Sequence, residues 1–254
     1  MSEVKECGGG IAAFFDLDGT LVPGPSLEQR FFRMLRDWGA IPAKNYFLWA
    51  REAMRLARRG IRAIRFENKM YLRGVPIGEA QRQDNGIVFF AEAIERVAWH
   101  TRQSHKIVIV SGTLEMLARG AAKQLEAELE ARGLEAEIDV RATRLEECEG
   151  RWTGSVTGAA MYGDAKAEAV RRMAEEESLD LTRCYAYGDG AMDRGMLTAV
   201  GRPVTVNPSK ELLRFAREKN WAVMVWEKHR TEESTEKAQR GSGKQEVAGL
   251  ETGA

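Results

Sequence analysis

An α/β fold built on a parallel sheet is predicted for this 254-residue chain by three observations. Short, continuously apolar runs recur, "IAAFF" at 11–15, "KIVIV" at 106–110 and "CYAYG" at 184–188, with weaker runs "PVTV" at 203–206 and "AVMVW" at 222–226. A strand without polar alternation is one covered on both faces. Each of the first three runs ends at a Gly- or Ser-containing turn followed by a helical segment, the alternation that requires right-handed crossovers and a parallel sheet.

Taken in order, residues 1–10 read as a flexible lead-in to the first strand. Roughly ninety residues then separate the first two strands, too many for a simple crossover, and their pattern is helical. Leu27, Phe31, Leu35 and Trp38 recur at helical spacing, as do Tyr46, Trp49, Ala53 and Leu56; Ile61, Ile64 and Tyr71 are less regular. Gly39, Pro42, Gly60, Gly74 and Pro76 punctuate them. Residues 24–84 therefore read as a helical insert over the rim of the sheet, with the aromatic stripes as its core. After the second strand, 114–132 is an amphipathic helix. The segment 141–158 alternates and turns at Glu149-Gly150, predicting a β-hairpin packed by Trp152. Another helix closes at 173–177. From Glu227 onward the chain is polar and without period, and is expected to be disordered. The expected division is a flexible start at 1–10, an α/β core of 11–23 and 85–226, the insert at 24–84 and a disordered tail at 227–254.

The formal net charge is zero, which gives the whole molecule no electrostatic draw toward nucleic acid or a membrane surface. The distribution is uneven. Between 28 and 73 there are twelve Lys/Arg and four Asp/Glu, whereas 126–149 has nine acids and three arginines, so an anionic ligand is expected to approach the insert. Its arginines (Arg30, Arg33, Arg36, Arg51, Arg55, Arg58, Arg59, Arg62, Arg65) read mainly as a solvated face, with one or two turned to the cleft. Cys7, Cys148 and Cys184 are odd in number, match no metal-binding spacing and read as free thiols. His100 and His105 flank the turn before the second strand and read as surface residues. No run approaches the ~18 apolar residues of a membrane span, and "MSEVKECGGG" lacks a signal-peptide core. A cytoplasmic protein without membrane insertion is expected; the pattern does not speak to oligomeric state.

Two carboxylates stand where the first strand runs out, in "FFDLDGTLV". Extended alternation puts Asp16 and Asp18 on one side, and Gly19 permits a sharp exit. Two such anions want a divalent cation, and an oxygen-rich site suits Mg2+. "GDGAMD", following the run at 184–188, adds Asp189 and Asp193, which share a face if the chain is helical from Gly190 onward. Ser111-Gly112 follows "IVIV" and is read as opening a helix, where a hydroxyl and backbone N–H groups bind phosphate oxygens. Lys166, just after "YGD", reaches the same rim as a compact positive charge. In open α/β sheets ligands bind beyond the carboxyl ends of the strands. Carboxylates with a metal, a phosphate cradle and a lysine together spell phosphoryl transfer.

The segments D-x-D-G-T-L, S-G-T, G-D-A-K and G-D-G-A-M-D, in that order, resemble the four motifs of the haloacid dehalogenase superfamily of phosphatases. The helical insert directly after the first motif resembles the branch with an α-helical (C1-type) cap that includes phosphoserine phosphatase. "TRLEECEGRWTGSVTG", "YGDAKAEAV", "YAYGDGAMDRGML" and "VGRPVTVNPSKELLRFAREKNW" further resemble its subfamily IB hydrolases, and the similarity spans about 11–226. The resemblance implies a Rossmann-like core and a Mg2+-dependent phosphatase that hydrolyses a small phosphate monoester through an aspartyl phosphate. By the same resemblance Asp16 is the nucleophile, and Asp18 is general acid and then general base. Mg2+ is held by the Asp16 carboxylate, the Asp18 backbone carbonyl and Asp189, with Asp193 behind them; Ser111, Gly112 and Lys166 balance phosphate charge. Two positions depart from the phosphoserine phosphatase pattern. Met192 stands where Asn is common, and Glu28 is displaced from the place of the carboxylate that meets the substrate amine, which argues against phosphoserine.

The implied partner is a small phosphorylated metabolite, with no nucleic acid. The motifs do not separate hydrolysis from transfer of the phosphoryl group to an alcohol acceptor. A non-catalytic phosphate-ligand binding protein is the other alternative, against which the intact Asp16, Asp18, Lys166 and Asp189 argue. A nucleotide-binding oxidoreductase would need a glycine fingerprint after the first strand, which the sequence lacks.

Overall fold

The computed structural model describes residues 9–78 and 86–227. The lead-in expected through residue 8, the end of the insert at 79–84 and the tail beyond 227 lie outside the described residues. In chain order the strands are β1 (Ala12–Phe15), β2 (Lys106–Leu114), β3 (Ile138–Thr143), β4 (Leu145–Cys148), β5 (Arg151–Val156), β6 (Tyr185–Gly188), β7 (Arg202–Val206) and β8 (Ala222–Met224). Six of them form one parallel sheet in the order β3-β2-β1-β6-β7-β8, while β4 and β5 pair antiparallel apart from it. The chain winds outward from β1 through β2 to β3, then returns to the other side of β1 at β6. This reversal places the carboxyl end of β1 at a switch point between β2 and β6, where such sheets bind ligands.

The apolar runs follow from burial on both faces. Ala12 and Phe14 join one core with Val170 and Met173 of α6 (Asp164–Glu176) and Met196 and Leu197 of α7 (Arg194–Thr198). Ala13 and Phe15 join the other with Val97 and Ala98 of α4 (Ala91–Arg102) and Leu125 and Leu129 of α5 (Glu115–Glu130). A last helix, α8 (Lys210–Glu218), contributes Leu212. The hairpin predicted over 141–158 divides: 141–143 end β3 in the main sheet, and the antiparallel pair begins only at Leu145. Buried Ile138, Val140 and Ala142 alternate with half-buried Asp139 and Arg141, the pattern of an edge strand with one covered face. Glu149 and Gly150 both have positive φ, 49° and 70°, as a tight hairpin turn requires.

Between β1 and α4 the described chain is helical. α1 (Leu27–Asp37) starts at a reciprocal cap in which Ser26 Oγ accepts the Gln29 N–H and Gln29 Oε1 accepts the Ser26 N–H. Of its stripe, Leu27, Phe31 and Leu35 are buried as expected, whereas Trp38, just past the helix end, is exposed; Phe31 meets the Trp152 ring edge-on at 5.9 Å. The stripe of α2 (Ala43–Leu56) is a correction. Tyr46 and Trp49 remain 47% and 40% exposed, and the helix instead turns Asn45 inward, whose amide donates to the Tyr71 and Arg73 carbonyls. Ile61, at the start of α3 (Ile61–Glu67), is also exposed. The hairpin packs on this insert rather than on the sheet: the Gly74 N–H donates to the Trp152 carbonyl, and the Trp152 N–H to the Val75 carbonyl.

His100, read from sequence as a surface residue, is fully buried in α4, with its ring nitrogens 2.8 Å from His105 Nδ1 and 2.9 Å from the Tyr187 hydroxyl. Burial, with help from His105 and Arg96, pushes its pKa down to about 3. The unfolded chain, with an ordinary histidine value near 6.5, then binds more protons than the folded one between those limits. Stability contributed here is complete above about pH 6.5 and is lost as pH falls. In urea unfolding, the stability advantage of wild type over His100→Gln should shrink between pH 6.5 and 4.5, by at most about 1.4 kcal/mol per pH unit. A constant difference across that range would contradict it.

Candidate active site

β1, β2 and β6 end side by side, and each delivers polar residues to the same rim. Asp16 follows β1 and is fixed by its own N–H, which donates to the Tyr187 carbonyl of β6. Asp193 closes the 3-10 turn Ala191–Asp193 after β6, and its Oδ2 accepts the Gly190 N–H at 2.9 Å. Between these two carboxylates lies Lys166 from the first turn of α6. Its Nζ donates to Asp16 Oδ1 at 2.5 Å and to Asp193 Oδ1 at 2.6 Å. All three side chains are buried. Burial works against the lysine's charge, but Asp16 and Asp193 outweigh it and push its pKa up. Burial pushes Asp16 up, against the opposing pull of Lys166. The lysine expected from sequence to reach this rim as a compact positive charge is its hub.

Asp18 does not join this cluster. Its Oδ1 accepts the N–H of Leu27, the first residue of α1, so the helix N-terminus holds it. Burial is the main cause that raises its pKa to about 6, partly offset by that backbone bond. Asp189 approaches the same turn from the β6 side. Burial and the neighbouring Asp193 raise its pKa to about 7. Gly19 (φ +96°) makes the approach possible, because a Cβ there would overlap the Asp189 carboxylate. Gly188 likewise leaves room for the Asp193 side chain.

Asp16, Asp189 and Asp193 each offer a carboxylate oxygen, all within 4.8 Å of one another. Ionised, the three outweigh Lys166 by two charges. An all-oxygen donor set with that surplus fits a hard divalent cation. Asp193, expected behind the metal ligands, has an oxygen within this same group.

Ser111 and Gly112 do not open a helix, as the sequence suggested. β2 continues to Leu114 with an irregular register between Ser111 and Leu114, and α5 begins at Glu115. The Thr143 hydroxyl donates to the Gly112 carbonyl and accepts the Met161 N–H, tying this turn to the loop before α6. Thr113, which the sequence does not single out within S-G-T, has a buried Oγ1 with no partner among the described residues. Phe66 of α3 covers the turn: a Cβ on Gly112 would lie 3.0 Å from its ring. Phe66 stacks on Tyr162 at 4.7 Å, and the Tyr162 hydroxyl donates to Glu67 Oε1 at 2.7 Å. These contacts join the insert to the sheet layer, and no local sequence pattern announces them.

Asp16, Asp18, Ser111, Gly112, Lys166, Asp189 and Asp193 all line one cavity of about 1010 Å³ whose far walls come from α1, α2 and α3. Tyr46 and Trp49, read as core, line it, as do Arg33, Arg36, Arg62 and Arg65, more arginines than the one or two expected.

A profile of the family described as haloacid dehalogenase-like hydrolase matches residues 13–198. Phosphoserine phosphatase SerB1 of Mycobacterium tuberculosis is 32% identical over 225 residues, covering 84% of this chain and 70% of that protein. A solved structure of a protein of unknown function from Bordetella pertussis Tohama I superposes with a TM-score of 0.66 at 22% identity, covering 85% of this chain and 98% of that one. A phospho-aspartyl intermediate analogue of phosphoserine phosphatase superposes with a TM-score of 0.57 at 23% identity, covering 90% and 99%. At such identities the two structures bear on the fold alone.

Removing the hub should be costly. Lys166→Met leaves two buried carboxylates without their cation, and the loss in urea unfolding at pH 7.5 is expected to be about 3–5 kcal/mol. Asp16→Asn added to Lys166→Met should recover part of it. Wild-type stability in the single variant would remove Lys166 from this role.

Proposed function

The chain belongs to the haloacid dehalogenase-like hydrolase family, and on that premise we propose that it is a Mg2+-dependent phosphomonoesterase acting on a small phosphate ester through an aspartyl phosphate on Asp16. The observation that carries this reading is the unlike treatment of two neighbouring carboxylates. Asp16 is clamped by an ammonium group inside an acidic cluster, while Asp18 is held separately with a pKa of about 6. Two neighbouring carboxyl groups with unlike partners, one an ammonium and one a helix N-terminus, are suited to separate nucleophile and acid/base roles.

Mg2+ would be held by the Asp16 carboxylate, the Asp18 backbone carbonyl and Asp189, with Asp193 beside them. When bound, it supplies positive charge to the phosphoryl oxygens. Lys166 occupies Asp16 Oδ1 and fixes the carboxylate, leaving Oδ2 to form the bond to phosphorus as the bond to the ester oxygen breaks. Protonated Asp18 gives its proton to the departing alkoxide. As a carboxylate it then takes a proton from water, whose oxygen displaces Asp16 from phosphorus. A group with a pKa near 6 serves both steps close to neutrality. Ser111, Gly112 and Lys166 would hold the remaining phosphoryl oxygens. Residues 24–84 act as a cap over a core of 11–23 and 85–226. Among the described residues no helix is long and apolar enough to cross a membrane. A cytoplasmic setting suits Cys148 and Cys184, unpaired among the described residues.

With p-nitrophenyl phosphate and Mg2+, Asp16→Asn should abolish turnover, and full activity would refute the nucleophile. Asp189→Asn should move the Mg2+ titration to higher concentration by at least about tenfold; an identical titration curve would take Asp189 out of the metal set.

A further inference from the structure

Apart from Asp16, Asp18, Asp189 and Asp193, the carboxylate lining the cavity among the described residues is Glu28 on α1. An exposed carboxylate in such a wall would attract a cationic group on a substrate. Glu28 is already bound on both oxygens: Lys69 Nζ lies 2.5 Å from Oε1 and 2.7 Å from Oε2, and the Tyr71 hydroxyl donates to Oε1 at 2.9 Å. Lys69 is 1% exposed and stands behind Glu28 rather than in the cavity wall, out of reach of a ligand. The pair therefore presents a neutral surface.

The other charges of the far wall are positive. Arg33 lies five residues along α1 from Glu28, and Arg62 and Arg65 project from α3. Among the described residues none of the three pairs with a carboxylate, and Arg65 rests over the Phe66 ring at 5.3 Å. Arg36 is the exception, joined to Asp37. Guanidinium groups without partners favour carboxylate or phosphate and repel ammonium.

We propose that Lys69 is a specificity-determining residue: by holding Glu28 from behind it removes the cavity's receptor for a cation, so that the substrate's leaving group carries a second negative charge and no ammonium. This rests on the phosphatase reading above and adds the class of ester. Specificity of this kind works through rejection as much as attraction.

The test compares O-phosphoserine with two trimmed relatives, 3-phosphooxypropionate, which lacks the amine, and phosphoethanolamine, which lacks the carboxylate. p-Nitrophenyl phosphate is the reference without a charged leaving-group substituent. Deleting the amine should raise kcat/KM and deleting the carboxylate should lower it, each by roughly tenfold, the scale of one uncompensated charge across a pocket. In Lys69→Met, phosphoethanolamine should gain on 3-phosphooxypropionate by a similar factor. Glu28→Gln should move that ratio the other way, and the double variant, which loses both charges, should return it toward the wild-type value. If Lys69→Met does not fold, the opposite shift in Glu28→Gln decides. Turnover of p-nitrophenyl phosphate with phosphoethanolamine preferred, or one unchanged ratio in all soluble variants, overturns the inference alone. No turnover of any ester overturns the phosphatase reading and this inference with it.

Discussion

Lys166 brings one ammonium within 2.5 and 2.6 Å of carboxylates that reach it from two other parts of the chain, all three side chains being buried at the floor of the cavity. Buried charge is tolerated only when paired, so this contact dictates much of what surrounds it. α6 must begin where its first turn overlooks β1. The turn after β6 must curl back far enough for Asp193 to bond both the lysine and the Gly190 N–H. Neither carboxylate is free to rotate toward solvent. The cluster remains short of positive charge once Asp189 is counted, and that shortage is what makes a cation and then a phosphoryl group welcome at the same place.

The backbone around the cluster is shaped by the side chains it must admit. Gly19 and Gly188 stand where a methyl group would strike the carboxylates of Asp189 and Asp193, and Gly112 stands beneath the Phe66 ring. Gly19 and Gly112 thus have steric explanations that involve partners distant in sequence, and Gly188 has one within its own motif. Asp18 illustrates the complementary device. Its carboxylate is drawn out of the cluster by the first N–H of α1, so one helix start both anchors the insert and separates two acids that would otherwise share an environment.

What could be read from the sequence follows from how local each signal is. The central strands were legible because burial on both faces leaves an unbroken apolar run, and the rim was legible because Asp16 and Asp189 stand just past the ends of their strands. β3 was hidden because one open face admits Asp139 and Arg141. The α2 aromatics were misplaced because a helical stripe looks the same whether it faces a core or a cavity. His100 gave no warning, since its burial depends on Tyr187, 87 residues away. The Glu28–Lys69 pair spans 41 residues inside a strongly basic stretch, where a single lysine carries no signal of its own.

Beyond the anchor at Asp18, two further attachments of the insert are unlike in kind. At 74–76 it shares main-chain hydrogen bonds with the hairpin, and Trp152 wedges against Phe31. At the cavity mouth it is held by side chains, the Phe66–Tyr162 stack and the Glu67–Tyr162 bond. Main-chain pairing buried under a tryptophan is harder to undo than a stack and one hydrogen bond at a rim. The contacts around Tyr162 are therefore the weaker of these two attachments, and they lie at the edge of the cavity.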